Sequence, residues 1–124
     1  MKHHITDIRT IAVPVTDQDR ALEFYTKTLG FEVRMDAPLP QIGGRWIVVA
    51  PPGAGAAIAL TPASDDTPVG TDTGIRLATA DAAAAHADLT AQGVDTGDLL
   101  TWPGIPPMFT FQDPDHNRLY LVQD

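Results

Sequence analysis

The sequence predicts an α+β fold built from two β-α-β-β-β units, and three observations carry that expectation. The chain repeats itself: Ile11 to Asp17 opens a unit running into Phe24-Tyr25 and Leu29-Gly30-Phe31, and Ile75 to Asp81 opens another running into Leu89 and Gly93-Val94. The offset is 64 residues from Asp17 to Asp81, 63 from Gly30 to Gly93 and 61 from Ala59 to Tyr120. A half-chain repeat drifting by only a few loop residues implies two copies of one supersecondary unit sharing a core. In both copies a stretch of alternating apolar residues precedes a stretch of helical spacing. In both, a short carboxylate precedes the helical stretch and a glycine follows it.

Within the first unit, Ile11, Val13 and Val15 alternate with Thr10, Ala12 and Pro14, the pattern of a strand with one face in the core. Asp17 suits a helix N-cap, accepting from the orphan amides of the first turn. Ala21, Leu22, Tyr25 and Leu29 give an apolar helical face over 18–29, and Gly30 suits the left-handed position that ends it. Residues 31–35 read as a strand. Pro38 to Gly44 reads as a loop by its breakers. Residues 45–50 and 56–60 read as strands joined by the turn 51–55.

The second unit keeps the same order. Residues 74–79 form a strand, Asp81 caps, and 82–92 is an alanine-rich helix of high intrinsic propensity closed by Gly93. The loop 101–106 precedes a strand at 107–112. Asp113-Pro114-Asp115-His116-Asn117 is a turn, and 118–122 is the last strand. His116 in that turn can tolerate a left-handed backbone, a conformation in which histidine is enriched. The expected organisation is one domain over 1–124, with units at about 8–61 and 74–123 and a Pro/Gly/Asp/Thr-rich linker at about 62–73.

Composition narrows the function. A chain of 124 residues, 44% hydrophobic, has the size of one ordinary domain with a real core. The net charge is −8 and the six arginines and two lysines are scattered, so nucleic acid and anionic membrane are poor partners. No apolar run is long enough to span a bilayer, and the first residues lack a signal-like apolar stretch, so a cytoplasmic protein is expected. Cysteine is absent, which excludes disulfides, thiol nucleophiles and thiolate metal sites.

The doubled unit, with Val15-Thr16-Asp17, Arg20-Ala21, Phe24-Tyr25, Leu29-Gly30-Phe31, Gly93-Val94 and Asp113-Pro114-Asp115-His116-Asn117 in this order, resembles the vicinal oxygen chelate superfamily. That superfamily includes glyoxalase I, bleomycin and fosfomycin resistance proteins and extradiol dioxygenases. The resemblance runs from about Ile8 to Gln123. It implies a mixed eight-stranded sheet curled into a cup around a ligand cavity, usually completed by pairing into a homodimer. It also locates four strand positions that hold a divalent metal in the metal-dependent members. Carried over one at a time, these fall on Thr10, Ala59, Gly74 and Tyr120. None is His, Asp or Glu, and neither are their neighbours Arg9, Ile11, Ile58, Leu60, Thr73, Ile75, Leu119 and Leu121. A catalytic divalent ion needs about three protein donors, so no metal and no other cofactor is expected here.

Strand parity says what the cup holds instead. Ile11, Val13, Val15, Ile58, Leu60, Ile75, Leu77, Leu119 and Leu121 share the parity that packs under the helices. The opposite parity gives Thr10, Ala12, Ala57, Ala59, Gly74, Arg76, Ala78, Arg118, Tyr120 and Val122, mostly small residues that leave volume for a ligand. The expected ligand-binding residues are Thr10, Arg76, Arg118, Tyr120, Trp46, Trp102 and Met108. A guanidinium is a bidentate partner for carboxylate or phosphate, and Trp46 and Trp102 flank the two Pro/Gly-rich loops, where they could cover a planar ligand. Each has a plainer alternative. Arg76 and Arg118 can sit at strand ends paired to Asp72 or Asp115. The tryptophans can be core or interface residues, and Tyr120 can simply fill the space of a metal.

Three functions compete. One is a metal-independent binder that sequesters a small, anionic or aromatic compound, as bleomycin resistance proteins do. Another is a glyoxalase-, lyase- or dioxygenase-like enzyme with a non-standard site, for which Tyr120 is the candidate acid or base. The third is a dimerising accessory module using the apolar loop Trp102 to Met108 as its interface.

Overall fold

The computed structural model describes residues 3–124 and divides the chain into two compact units, the first ending at Thr67 and the second beginning at Pro68. Each unit is a four-stranded mixed sheet with its own helix.

In the first unit the elements are β1 (Thr10–Val15), α1 (Gln18–Glu23), β2 (Glu32–Leu39), β3 (Gly44–Ala50) and β4 (Ala57–Pro62), with sheet order β1-β4-β3-β2. β1 runs parallel to β4; the other neighbours are antiparallel. Asp17 caps α1 by accepting from the Arg20 amide, and Gly30 closes the segment with φ 79°. The single helix expected over 18–29 is instead a short α-helix followed by a π-helical turn, Phe24–Thr28. The wider turn is held by Leu29 N–H on the Phe24 carbonyl, while the Thr26 hydroxyl donates to the Leu22 carbonyl. It seats Tyr25, fully buried, between Phe24 and Phe31 with ring centroids 5.4 and 5.8 Å away.

Pro38 and Leu39, expected in a loop, extend β2. β2 is an edge strand, where a missing N–H costs no ladder bond. Val13, Val15, Ile47, Val49, Ile58 and Leu60 are buried on the face that carries α1. Ile11, of the same parity, stays 37% exposed near the start of β1, while Val13 and Val15 further along the strand are buried. The Gln18 side chain ties α1 to that face. It donates to the carbonyls of Arg45 and Leu60 and accepts from the Arg45 amide. Arg45 then bridges Asp19 at 2.7 Å and Asp36 at 3.0 Å.

In the second unit the elements are β5 (Asp72–Thr79), α2 (Ala82–Ala91), β6 (Asp95–Thr96), β7 (Met108–Gln112) and β8 (Arg118–Gln123), with order β5-β8-β7-β6. Asp81 caps α2 through the Ala84 amide, and Gly93 has φ 85°. β6 is only two residues, extended by a bridge between Leu100 and Met108. Phe109, Phe111 and Leu119 are fully buried on the helix side, where His86 of α2 meets the Phe109 ring edge-on at 4.9 Å. His86 is thereby a half-buried helix residue, its Nε2 2.8 Å from the Gly97 carbonyl.

The turn before β8 is a closed polar knot. Asp113 accepts from the amides of Asp115 and Asn117, Asn117 donates its side-chain amide to Asp113, and His116 adopts φ 65° as expected. The Asn117 side-chain carbonyl accepts from the amides of Gly70 and Thr71. These bonds bring the segment before β5 against the turn and set where Asp72 begins its strand.

Candidate functional site

The sheet face of the second unit that points away from α2 carries the charged cluster. Register places Arg76 beside Tyr120 and Tyr120 beside Thr110, with Ala78, Val122 and Met108 on the next rung. The Arg76 guanidinium lies over the Tyr120 ring, its central carbon 4.3 Å from the centroid, a cation–π contact. Arg76 Nη1 also donates to the Gly74 carbonyl at 2.9 Å. The Tyr120 hydroxyl donates to Asp72 Oδ2 at 2.7 Å, Arg118 Nη1 stands 3.7 Å from the same oxygen, and the Gly74 amide donates to Asp72 Oδ1.

The Tyr120 hydroxyl, first, then the Gly74 amide and the charges of Arg118 and Arg76 hold the Asp72 carboxyl below its usual range. Asp72 is therefore ionised at neutral pH and screens Arg118. Next to it a cleft of about 290 Å³ is lined by Gly70, Thr71, Asp72, Gln112, His116 and Arg118. His116 Nδ1 lies 3.1 Å from Gln112 Oε1 at its rim.

The first unit has a different cleft, about 260 Å³, lined by Arg9, Thr10, Arg34, Met35, Trp46, Val48, Gly55 and Ala57. Trp46 is half-buried against the cluster Val48, Ala50 and Ala57. Of the small residues expected on this face, Ala57 lines the cleft at 7% exposure, while Ala59 is fully buried and leaves no open space. Arg34 is placed by a β-bulge between Val33 and Met35 and anchored on the Ala54 carbonyl at 2.8 Å.

The structure thus brings Arg76, Arg118 and Tyr120 together, with Met108 on the same sheet face, and it puts Thr10 and Trp46 in one cleft. Trp102 joins neither lining; it stands 61% exposed in the loop before β7. Sequence reasoning missed Arg34 and Met35, because the bulge shifts the parity of β2. It also missed Gln112 and His116 as cleft residues, although the rung pairing of Gln112 with Arg118 follows from extending the β8 parity to β7.

The four positions at which the family resemblance would set metal ligands do not fit a metal. Ala59 has no donor and is fully buried, and the Tyr120 hydroxyl is given to Asp72. Gly74 has no side chain and so no donor to offer. Among the described residues no three His, Asp or Glu side chains gather as a metal-binding group. Also among them, no helix is long and apolar enough to cross a membrane.

Comparison with known proteins gives the same fold across the chain. The sequence model of the Glyoxalase/Bleomycin resistance protein/Dioxygenase superfamily matches residues 3–121. The chain is similar to the crystal structure of TnmS3, an antibiotic binding protein from Streptomyces sp. CB03234, with 34% identity, TM-score 0.88 and 98% of both chains covered. It is similar to a member of the same superfamily from Sphaerobacter thermophilus DSM 20745, with 35% identity, TM-score 0.88, and 97% of this chain and 98% of that one covered. An uncharacterized Bacillus subtilis (strain 168) protein, YetH, is 39% identical over 59 residues, 47% of this chain and 48% of that protein. The match therefore spans about half the length of that relative.

Proposed function

The chain belongs to the Glyoxalase/Bleomycin resistance protein/Dioxygenase superfamily, and within it we propose that this protein is a metal-independent binder of a small anionic or aromatic molecule. The observation that carries the reading is the cluster on the second sheet: two arginines and a tyrosine gathered on one open face, arranged around a single carboxylate. Two cations against one anion leave a net positive face on a protein of net charge −8, and such a face attracts an anion. Met108, one rung along the same sheet face from Tyr120, adds apolar area to that face. The first unit has its own cleft, in which Thr10 and Trp46 could take an apolar or planar group. The likeness to an antibiotic binding protein at 34% identity supports a ligand of drug-like size.

The enzyme alternative is weaker on chemical grounds. The Tyr120 hydroxyl is committed to a hydrogen bond with Asp72 and would have to give it up to act as acid or base on a ligand. The chain is proposed to act as a cytoplasmic homodimer.

Thermal shift across a panel of carboxylates, phosphates and planar natural products tests the reading, because a ligand that binds only the folded state raises the melting temperature. At least one class should give a saturable shift in protein dialysed against a chelator. Complete absence of shifts, or shifts only after a transition metal is restored, would sink it.

A further inference from the structure

Two of the four positions where the resemblance would place metal ligands do something else in this chain. The Gly74 carbonyl accepts from Arg76 Nη1, and the Tyr120 ring underlies the Arg76 guanidinium. Asp72 completes the mount. It takes the Gly74 amide on one oxygen and the Tyr120 hydroxyl on the other, fixing both holders of Arg76 at once. We infer that a protein cation, the Arg76 guanidinium, has replaced the metal as the fixed positive charge of this site, and that it receives the carboxylate of a flat aromatic acid. This rests on the reading of the protein as a binder and names the ligand class.

The choice of Arg76 over Arg118 follows from their partners. Arg118 faces the Asp72 carboxylate at 3.7 Å, and that neighbour opposes a second anion. Arg76 spends one N–H on a neutral carbonyl and one ring face on Tyr120, which leaves its other donors for a ligand. Guanidinium N–H groups are a planar fork that matches a carboxylate in two parallel bonds. Side chains two residues apart on one face are spaced by about 6.6 Å. The rung beside Arg76–Tyr120 is Ala78, Val122 and Met108, small and apolar, and it offers a bed for a ring one such step from the carboxylate. A metal would bring vicinal oxygens together by coordination; a guanidinium asks for a charged, planar, two-oxygen group.

The experiment is calorimetric titration of the full chain with 2-naphthoate and with its neutral isostere 2-naphthamide. The inference expects saturable binding of 2-naphthoate, weakened about tenfold or more by R76Q, as for a lost hydrogen bond to a charged group. R76K keeps the charge but loses the fork and the stack, and is expected to fall between R76Q and the wild type. 2-Naphthamide should bind more weakly and be nearly indifferent to R76Q. R118Q should cost less than R76Q. Circular dichroism confirms that each variant folds, and R76K serves if R76Q does not. Equal 2-naphthoate affinity in wild type, R76Q and R76K would overturn the inference while leaving the binder reading intact, as would a larger loss from R118Q. An absence of 2-naphthoate binding would also overturn it, and the thermal-shift panel then judges the binder reading separately. Tighter binding on adding Ni²⁺ or Zn²⁺ would overturn both.

Discussion

The two units share one strand order and differ in the chemistry of the sheet face away from the helix. Asp17 and Asp81 cap their helices through the amide three residues on, and Gly30 and Gly93 end the following segments at φ 79° and 85°. The first and last strands of each unit pair in parallel in both. On the face away from the helix the correspondence of position holds at one rung and breaks at the next, where an irregularity in β5 pairs Asp72 rather than Gly74 with Arg118, and that of chemistry ends. Ala12 pairs with Ala59 in the first unit, where Arg76 pairs with Tyr120 in the second. Thr10 pairs with Ala57 where the second unit has Gly74 and Arg118 at the matching repeat positions. The positions that make the fold are kept between the copies, because each unit needs the same caps, turns and helix-side core. The positions that face away from the helix are not fixed by those caps, turns or helix-side core, and they differ between the copies.

That contrast can be broken most severely by exchanging the faces. Ala59→Tyr inserts a ring at a fully buried site and is expected to cost about 3 kcal/mol in denaturant unfolding. Tyr120→Ala, at the matching position of the second unit, removes a half-buried ring and is expected to cost about 1 kcal/mol. Similar losses from the two would mean that both faces serve the fold, and the contrast would fail.

A smaller effect tests the sameness of the units. Asp17→Ala and Asp81→Ala each remove one capping bond and should each cost about 1 kcal/mol, as thermal melts can read. A cost confined to one of them would show that the repeat is formal rather than energetic.

The smallest effect is in acid. Asp72 has its carboxyl lowered by Tyr120 and its other donors, so its folded value lies below the unfolded one. Its contribution to stability is therefore complete above the unfolded value of about 3.8 and is lost as pH falls through the lower folded value. Asp72→Asn should flatten the acid limb of the stability curve below about pH 4 and leave its shape near neutrality unchanged. An unchanged acid limb would mean that the bonds to Tyr120 and Gly74 do not persist in solution. NMR titration of the Asp72 carboxyl reads the same quantity directly.

The fold was legible in the residues because its signals are local. Alternation, a carboxylate before a helix and a glycine after it act within a few residues, so Asp17, Gly30, Asp81 and Gly93 could be read one by one. The parity of β5 and β8 was enough to put Arg76, Arg118 and Tyr120 on one face. Where the reading failed, a non-local cause prevailed. Pro38 looked like a breaker until β2 proved to be an edge strand, and the π turn at Phe24–Thr28 follows from seating Tyr25 between two other rings. By parity Ala57 and Ala59 are both expected to leave open space; Ala57 lines a cleft, but Ala59 is fully buried, and burial depends on what covers a residue.

By itself, then, the sequence determined the doubled unit, its caps, the helix-side core and the lack of imidazole or carboxylate at the four metal positions, since each of these depends on residue type and spacing alone. Only the tertiary structure decided who partners whom. That Asp72 takes the Tyr120 hydroxyl, that Gly74 holds Arg76, and that Arg118 rather than Arg76 stands 3.7 Å from the Asp72 carboxylate depend on distances between residues up to 48 positions apart. A hydrogen bond acts over about 3 Å and is blind to sequence separation, so only the folded chain can assign its partners.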